Sequence, residues 1–440
     1  MDKVKVGLKR RGSILALVVI TIVIFFVIGA ALLTLGFNSR IFAIRTAADI
    51  SARCAADAGL TEAVAVMNVN PSYYFNNPPQ KPDTDLPNSE PTATFSYKVY
   101  KLPKNEFGII SNEFGVISIG RCNVARRTVW GLLRLRGVGD TGVLVRDSMV
   151  LKAGTLVDGR DSRYPNNPNI EVEVQIGTAS IASDSMILNN GVYIDGDVLV
   201  GFGGNVATVI KDQGATVTGY KGSLDENPEF PPVTPPILPV LNEKIEYKGL
   251  NKENLLTGTW QITPLKSGVY TRIDLQQQAT TSAVLEIVGG KVVLHITGDI
   301  DLGQGCEIRI AKGASLELFV DGNIISREDS GFNNQGLPPD LKLWGQAHDP
   351  LLTPDKTQKW QLNAKSEYFG QIYAPEMNVE VKAKGDLYGA FTAYSFNMMS
   401  GGNLYYDGAL RNVNPNDPGV RFVLNRWGEG AENPPYVAGL

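Results

Sequence analysis

Residues able to carry chemistry are few in this chain and lie far apart. Its 440 residues include two histidines, His295 and His348, and three cysteines, Cys54, Cys122 and Cys306. A zinc site needs three or four His, Cys or carboxylate ligands in one place, and neither histidine has a second ligand at motif spacing. His295 sits in an alternating run, opposite its apolar positions. His348-Asp349 falls in a stretch without strand pattern. The cysteines allow at most one intrachain bridge; buried free thiols are favoured over a Cys122–Cys306 pair. Asp195, Asp197, Asp299, Asp301, Asp321 and Asp386 stand at or near turn glycines. Carboxylates in stacked turns could ligate Ca²⁺, but the spacing matches neither an EF-hand loop nor a nonapeptide repeat. Asp-Gly turn chemistry accounts for them without a metal.

Enzymatic constellations are equally thin. No G-x-S-x-G, P-loop or dinucleotide fingerprint stands in a strand–turn–helix context. Arg309 and Lys312 lie near Asp299 and Asp301 in sequence, the residue types that glycan-processing β-helices cluster, yet nothing in the sequence gathers them. The expectation is a protein that is not an enzyme, with no catalytic residue, no cofactor and no metal. A formal net charge of −4 gives no basic field for nucleic acid.

The informative element is the anchor. Ile14 to Leu35, with Leu17, Phe25 and Phe26 inside it, holds no charged residue. At about 1.5 Å per residue it spans a bilayer core of about 30 Å. Residues 1–12 before it form a basic leader (Lys3, Lys5, Lys9, Arg10, Arg11 against Asp2). The positive-inside rule puts that leader in the cytoplasm and the rest outside. The run exceeds a signal-peptide core of about 7–15 residues and continues into helical sequence. Beyond it, Ile41, Ile44, Ala48, Ala52, Ala55, Ala58, Ala63 and Val66 recur at helical steps. One helix over 13–70 is expected, greasy first and amphipathic later, with Arg45, Asp49 and Arg53 spaced for i,i+4 pairs.

After it, residues 71–138 read as a Pro/Asn loop followed by a small antiparallel β region. From 142 the texture is short β-rich runs broken by glycine. Residues 142–220 and 260–413 read as two β-solenoid segments, separated by a Pro-rich linker at 221–259. The later segment carries an insertion at 327–363, and 414–440 is an irregular tail. Turn glycines at near-regular spacing suggest a right-handed β-solenoid, with a β-sandwich as the alternative. The fold class is thus mainly β with a long N-terminal helix.

Arg10-Arg11-Gly12 before Ser13-Ile14-Leu15-Ala16-Leu17, with Ala55-Ala56-Asp57-Ala58-Gly59-Leu60 further on, resembles the N-terminus of type IV pilin-like proteins of the PilX-type minor pilin group. That resemblance implies cleavage by a prepilin peptidase between Gly12 and Ser13, and helix packing in a filament core. Leu17 occupies the fifth mature position, where major pilins carry Glu. A plain unprocessed anchor is the alternative. A second stretch resembles the domain found behind such N-termini: Tyr373-Ala374-Pro375, Gly385, Tyr388-Gly389 and Tyr406-Asp407, with Tyr405 where relatives often have His. Together these imply a single-pass inner-membrane envelope protein for pilus assembly or surface adhesion. Its implied partners are membrane lipid, other pilin-like subunits, prepilin peptidase, the pilus assembly machinery and a surface ligand. The rivals are a membrane-tethered solenoid scaffold and a cell-surface glycan-processing enzyme.

Overall fold

The computed structural model describes residues 12–102, 113–164, 172–248, 259–278, 281–333, 336–346, 358–362, 368–382, 385–411, 413–417 and 419–430; side chains of residues 12–14, 248 and 259 lie outside the description. The chain is mainly β behind one long helix, and it divides into two compact units. One comprises the described residues of Met1–Arg134 and Phe422–Leu440, the other Leu135–Arg421.

In the first unit, helix α1 runs unbroken from Gly12 to Val69. Apolar content and the absence of proline sustain it; Asn70 then caps a short helix α2, Pro71–Asn76, by accepting the Tyr73 N–H. The sheet is antiparallel, ordered β1 (Gln80–Asp85), β2 (Thr94–Lys101), β3 (Glu113–Cys122), β4 (Ala125–Arg136) and finally the strand Arg421–Glu429. Two expectations are corrected here. The Pro/Asn loop contains α2 and β1, because β1 pairs with β2 across the loop. The tail is not irregular throughout: Arg421–Glu429 joins the sheet, and the Phe422 backbone exchanges two hydrogen bonds with the Asn68 side chain. Local composition hides this strand, because its partners lie about 300 residues earlier.

The second unit is dominated by a large parallel sheet. One ladder runs, strand by strand, through Lys244–Lys248, Arg272–Gln276, Ile300–Leu302, Ile324–Ser326 and Lys359–Leu362. It continues through the C-terminal halves of Tyr368–Val381, Leu387–Met398 and Val143–Leu151, then Met186–Leu188 and Ile210–Asp212. A second runs through Gly268–Tyr270, Lys291–Ile296, Ser315–Val320, Leu341–Gly345, the N-terminal parts of those same three long strands, then Gln175–Thr178, Asp197–Val200 and Lys221–Ser223. A separate four-stranded parallel sheet holds Thr259–Ile262, Val284–Ile287, Glu307–Ile310 and Gly331–Phe332. Inward side chains stack like on like: Ile245, Ile273, Ile300 and Ile324 follow one another on adjacent strands, all fully buried. Burial alternates along these strands, so one face of the ladder is packed inward, and β-branched side chains fit such a half-buried pleated surface.

Three boundaries differ from expectation. The two β segments are one sheet, because Phe391–Met398 of the later segment pairs with Val143–Leu151 of the earlier one. Within 327–363, Leu341–Gly345 and Lys359–Leu362 are ladder strands; His348, Asp349, Pro350 and Pro354 lie outside the described residues. The Pro-rich stretch is bounded by strands Lys221–Ser223 and Lys244–Lys248. Between them Val233 is buried against Phe319, Trp344 and Tyr373. Phe319 alternates outward from Leu318 and Val320, yet is buried beneath this strap.

Candidate functional site

The first candidate is the anchor and the sheet that grips it. Gly12 and Ser13, the expected processing pair, are the first residues of α1. From Leu15 to Phe37 the large apolar side chains are exposed, Leu17 at 67%, Phe25 at 70%, Phe26 at 78% and Leu35 at 67%. By length and composition this helix is able to cross a membrane. From Ala48 onward the same helix turns one face inward: Ala48, Ala52, Ala55, Ala56, Leu60, Ala63 and Met67 are buried. Ile44, expected on that stripe, is exposed, because the sheet begins to cover the helix only at Ala48.

Small residues set the closeness of this grip. A methyl group added at Gly120 of β3 would lie 1.9 Å from the Ala52 carbonyl oxygen and 2.5 Å from the Ala56 nitrogen. Gly59 faces the Ser118 hydroxyl in the same way. The anticipated helix pairs do not form as i,i+4 pairs. Asp49 instead accepts two hydrogen bonds from Arg127 of β4, at 2.6 and 2.5 Å, and Arg53 pairs with Glu429. The Arg127 hydrogen bond holds the Asp49 carboxyl below its usual range. Sheet geometry brought these partners in, and no local signal in the sequence could have named them.

The second candidate is the motif around residues 373–407. Its residues are structural joints. Tyr373 is buried beside Trp344 and donates its hydroxyl to the Pro231 carbonyl at 2.8 Å, tying down the strap. Ala374 and Pro375 are buried on the same strand. Gly385 is buried just before Leu387–Met398. Gly389 has φ +153°, and a Cβ there would lie 1.8 Å from the Gly370 oxygen on the neighbouring strand. Tyr388 stacks between Phe369 and Tyr405, with ring centroids 4.4 and 5.0 Å away, and Arg160 sits over it at 4.0 Å. Tyr405 is therefore a stacking residue. Tyr406 donates to the carbonyls of Gly139 and Asp140, at 3.0 and 3.2 Å. Asp407 accepts from the N–H groups of Ser162 and Ala409, both at 2.9 Å. The strand carrying Tyr406 and Asp407 pairs in parallel with Leu156–Arg160. The motif thus marks the seam where late strands meet early ones.

The dispersed chemical residues stay dispersed. His295 contacts Asp321, at 2.9 and 3.0 Å, just past the end of the neighbouring strand Ser315–Val320. Asp301 pairs with Arg327, and Arg309 with Glu307, so the Arg309–Asp301 juxtaposition is not made by those ion pairs. Asp195 accepts from Thr218, Asp197 from the Tyr220 N–H and Asp299 from the Asn323 N–H, which are turn and rung contacts. Among the described residues no group of three His, Cys, Asp or Glu is placed to hold a metal ion. The three cysteines are free thiols: Cys122 and Cys306 are buried, Cys54 is exposed. Burial pushes the Cys306 thiol up, away from the thiolate.

Residues 219–413 match the model of a family described as a domain of unknown function, DUF7305. The match takes in the strap, the later ladder strands and the seam motif, and it leaves α1 and its sheet outside. No curated protein matches the chain. Among solved structures, a competence-associated pilin, ComZ from Thermus thermophilus, aligns over 87% of this chain and 97% of its own, at 14% identity and a TM-score of 0.24. A superposition at that score carries no argument about this chain.

Proposed function

We propose that this is a pilin-like, membrane-anchored envelope protein that displays a rigid β-solenoid for pilus assembly or surface adhesion, without turnover. The observation that carries the reading is α1 itself: one continuous helix, apolar and exposed over its first half, gripped by a sheet over its second. A helix of that kind needs a bilayer or neighbouring apolar helices around its first half. In this reading the leader is cytoplasmic and the Gly12–Ser13 bond is the processing site. Membrane lipid, other pilin-like subunits, prepilin peptidase, the assembly machinery and a surface ligand are the partners. The solenoid reading is supported by parallel, in-register ladders, whose rungs between Lys244 and Ser326 recur every 24 to 28 residues, and by like-on-like inward stacking. A right-handed winding follows the usual chirality of parallel crossovers.

The scaffold rival, end-to-end polymerisation, is disfavoured by one observation. The terminal rung at Ile210–Asp212 ends in Asp212, bonded to Lys221 at 2.8 Å, and is flanked by the short helix Val206–Val209. A charged pair on the last rung guards the edge against further pairing.

The deciding experiment is the N-terminal mass of the full chain purified from its native membrane, with and without Gly12→Arg. A start at Ser13 that Gly12→Arg abolishes is the expected result. A start unaffected by the substitution overturns the processing step and leaves a plain anchor.

A further inference from the structure

We propose that the outward column Tyr405, Asp158 and Asp195 of the second unit is a binding site for a neutral pyranose ring of a surface glycan, held without turnover. The inference rests on the surface-ligand reading above and gives that ligand a place and a chemistry. It begins from register. Phe369, Tyr388, Tyr405 and Asp158 occupy successive rungs of one parallel ladder. The next rung is Asp195, whose N–H donates to the Val157 carbonyl, and the one after is Thr218, whose N–H donates to that of Ile194. Leu404, Tyr406, Val157 and Ile194 are fully buried, so their neighbours Tyr405, Asp158 and Asp195 point outward. The first three rungs carry rings stacked nearly parallel, tilted by 13° and 12°, with centroids 4.4 and 5.0 Å apart. Phe369 and Tyr388 are each only 7% exposed, Tyr405 and Asp158 are half-buried, and Asp195 is exposed. The column is therefore closed at its Phe369 end and opens at Tyr405. One face of the Tyr405 ring lies on Tyr388. The other looks along rungs whose aspartate side chains are too short to reach ring height. At about 4.8 Å per rung, Asp158 and Asp195 leave a notch about 10 Å long beside that face among the described residues.

The notch has the chemistry a sugar asks for. The negative face of an aromatic ring packs against the C–H groups of a pyranose, and carboxylates accept from its hydroxyls more strongly than neutral groups do. Asp158 accepts from the adjacent Gly159 N–H, at 2.7 Å, and Asp195 from the Thr218 hydroxyl, at 2.6 Å. Neither pairs with a lysine or arginine among the described residues, so each keeps acceptor sites for a ligand. One rung apart, they are placed for hydroxyls on alternate carbons of one ring. Tyr193, 42% exposed, stands two positions before Asp195 on the same outward face and flanks the notch. Burial, helped by Asp386 and Asp158, raises the Tyr405 phenol, which therefore stays a neutral hydroxyl. Arg160, 4.0 Å from the centre of the Tyr388 ring, sets a positive charge beside the stack. That charge opposes a cationic ligand and the two carboxylates oppose an anionic one, whereas a neutral polyhydroxylated ring suits both.

The test uses the full chain in detergent micelles, with fluorophore-tagged mannotetraose, cellotetraose and chitotetraose as probes and fluorescence anisotropy as the readout. The expected result is saturable binding of at least one of them. Tyr405→Phe keeps the ring and should hold that affinity within about twofold, whereas Tyr405→Ala should weaken it about tenfold. Asp195→Asn, at an exposed position where no packing changes, should weaken it about fivefold. Saturable binding of none of the three probes overturns the glycan site. Binding that survives both Tyr405→Ala and Asp195→Asn overturns its location. Displacement of the sugar by tetramethylammonium chloride, but not by equal sodium chloride, overturns the choice of a neutral ligand. Retention of the chain in native membranes through an alkaline carbonate wash is scored separately, so a failed anchor and a failed glycan site give different results.

Discussion

Gly120→Ala pits two effects of opposite sign against each other. Replacing glycine by alanine inside a strand normally stabilises, by roughly 0.5–1 kcal/mol, through backbone entropy. Here the new Cβ would stand 1.9 Å from the Ala52 carbonyl oxygen, whereas ordinary contact begins at 3.4 Å. The helix must therefore retreat by about 1.5 Å, and because both colliding groups are backbone, no rotamer change relieves the clash. A gap of even 0.5–1 Å forfeits a quarter to a half of each dispersion contact. Such a retreat would loosen Ala48, Ala52, Ala55, Ala56 and Ala63 together. Overpacking costs about 1–3 kcal/mol, and the upper end applies. The net is a loss of about 2 kcal/mol, or roughly thirtyfold in the opening equilibrium. Hydrogen exchange of the full chain in detergent reads this directly, as reduced protection of peptides from α1 residues 48–68 and from β3. Gly36→Ala, with nothing within 4 Å of its added methyl, is the control and should leave those peptides unchanged. Unchanged or increased protection in Gly120→Ala would refute the steric account of how the sheet grips the helix.

Further predictions concern the second unit. Tyr406→Phe removes the hydroxyl that donates to Gly139 and Asp140; leaving those carbonyls short should cost about 1–2 kcal/mol, measured by urea denaturation. Gly389→Ala should cost at least about 3 kcal/mol or prevent folding, since it combines a positive φ with backbone overlap at the seam. The Lys221 hydrogen bond lowers the Asp212 carboxyl to about 2. Its contribution is thus present above the unfolded value near 3.9 and is lost as pH falls from about 4 toward 2. Lys221→Met should cost under about 1 kcal/mol near neutrality, because the pair is partly exposed and screened by solvent, and its deficit should shrink across that window. The strap must span ten strand steps, from the strand Lys221–Ser223 to the Val240–Val269 bridge, about 48 Å at 4.8 Å each. The 17 residue steps of extended proline-rich chain reach about 53 Å. Deleting Pro235–Ile237 should therefore break the Val240 end, seen as lost protection at Val269, while a two-residue insertion should be tolerated.

How much was legible beforehand divides by range. Tyr373, Tyr388, Tyr406 and Asp407 stood out in the sequence through a family resemblance, but their role as a seam did not. Nothing near Tyr406 in the chain says that its hydroxyl ends on Gly139, 267 residues away. The short ladder strands Leu341–Gly345 and Lys359–Leu362 were hidden for the same reason. They pair with strands on either side in space, amid proline-rich neighbours in sequence.

By itself the sequence determined the helix and its division of labour. A charge-free run from Ile14 to Leu35 followed by alanines at helical steps dictates hydrogen bonding within the segment, and each helical bond closes over four residues. It also determined that short strands follow, since β-branched runs and turn glycines act over five to ten residues, but it left solenoid and sandwich both open. Only the tertiary structure decided which strands share a rung. It placed Val143–Leu151 in the middle of the ladder and Arg421–Glu429 in the first sheet, and it laid the strap across Phe319, Trp344 and Tyr373. The physical reason is that β pairing satisfies backbone groups between segments rather than within one. Many partners fit an alternating strand locally, and the choice among them is made by the whole buried stack.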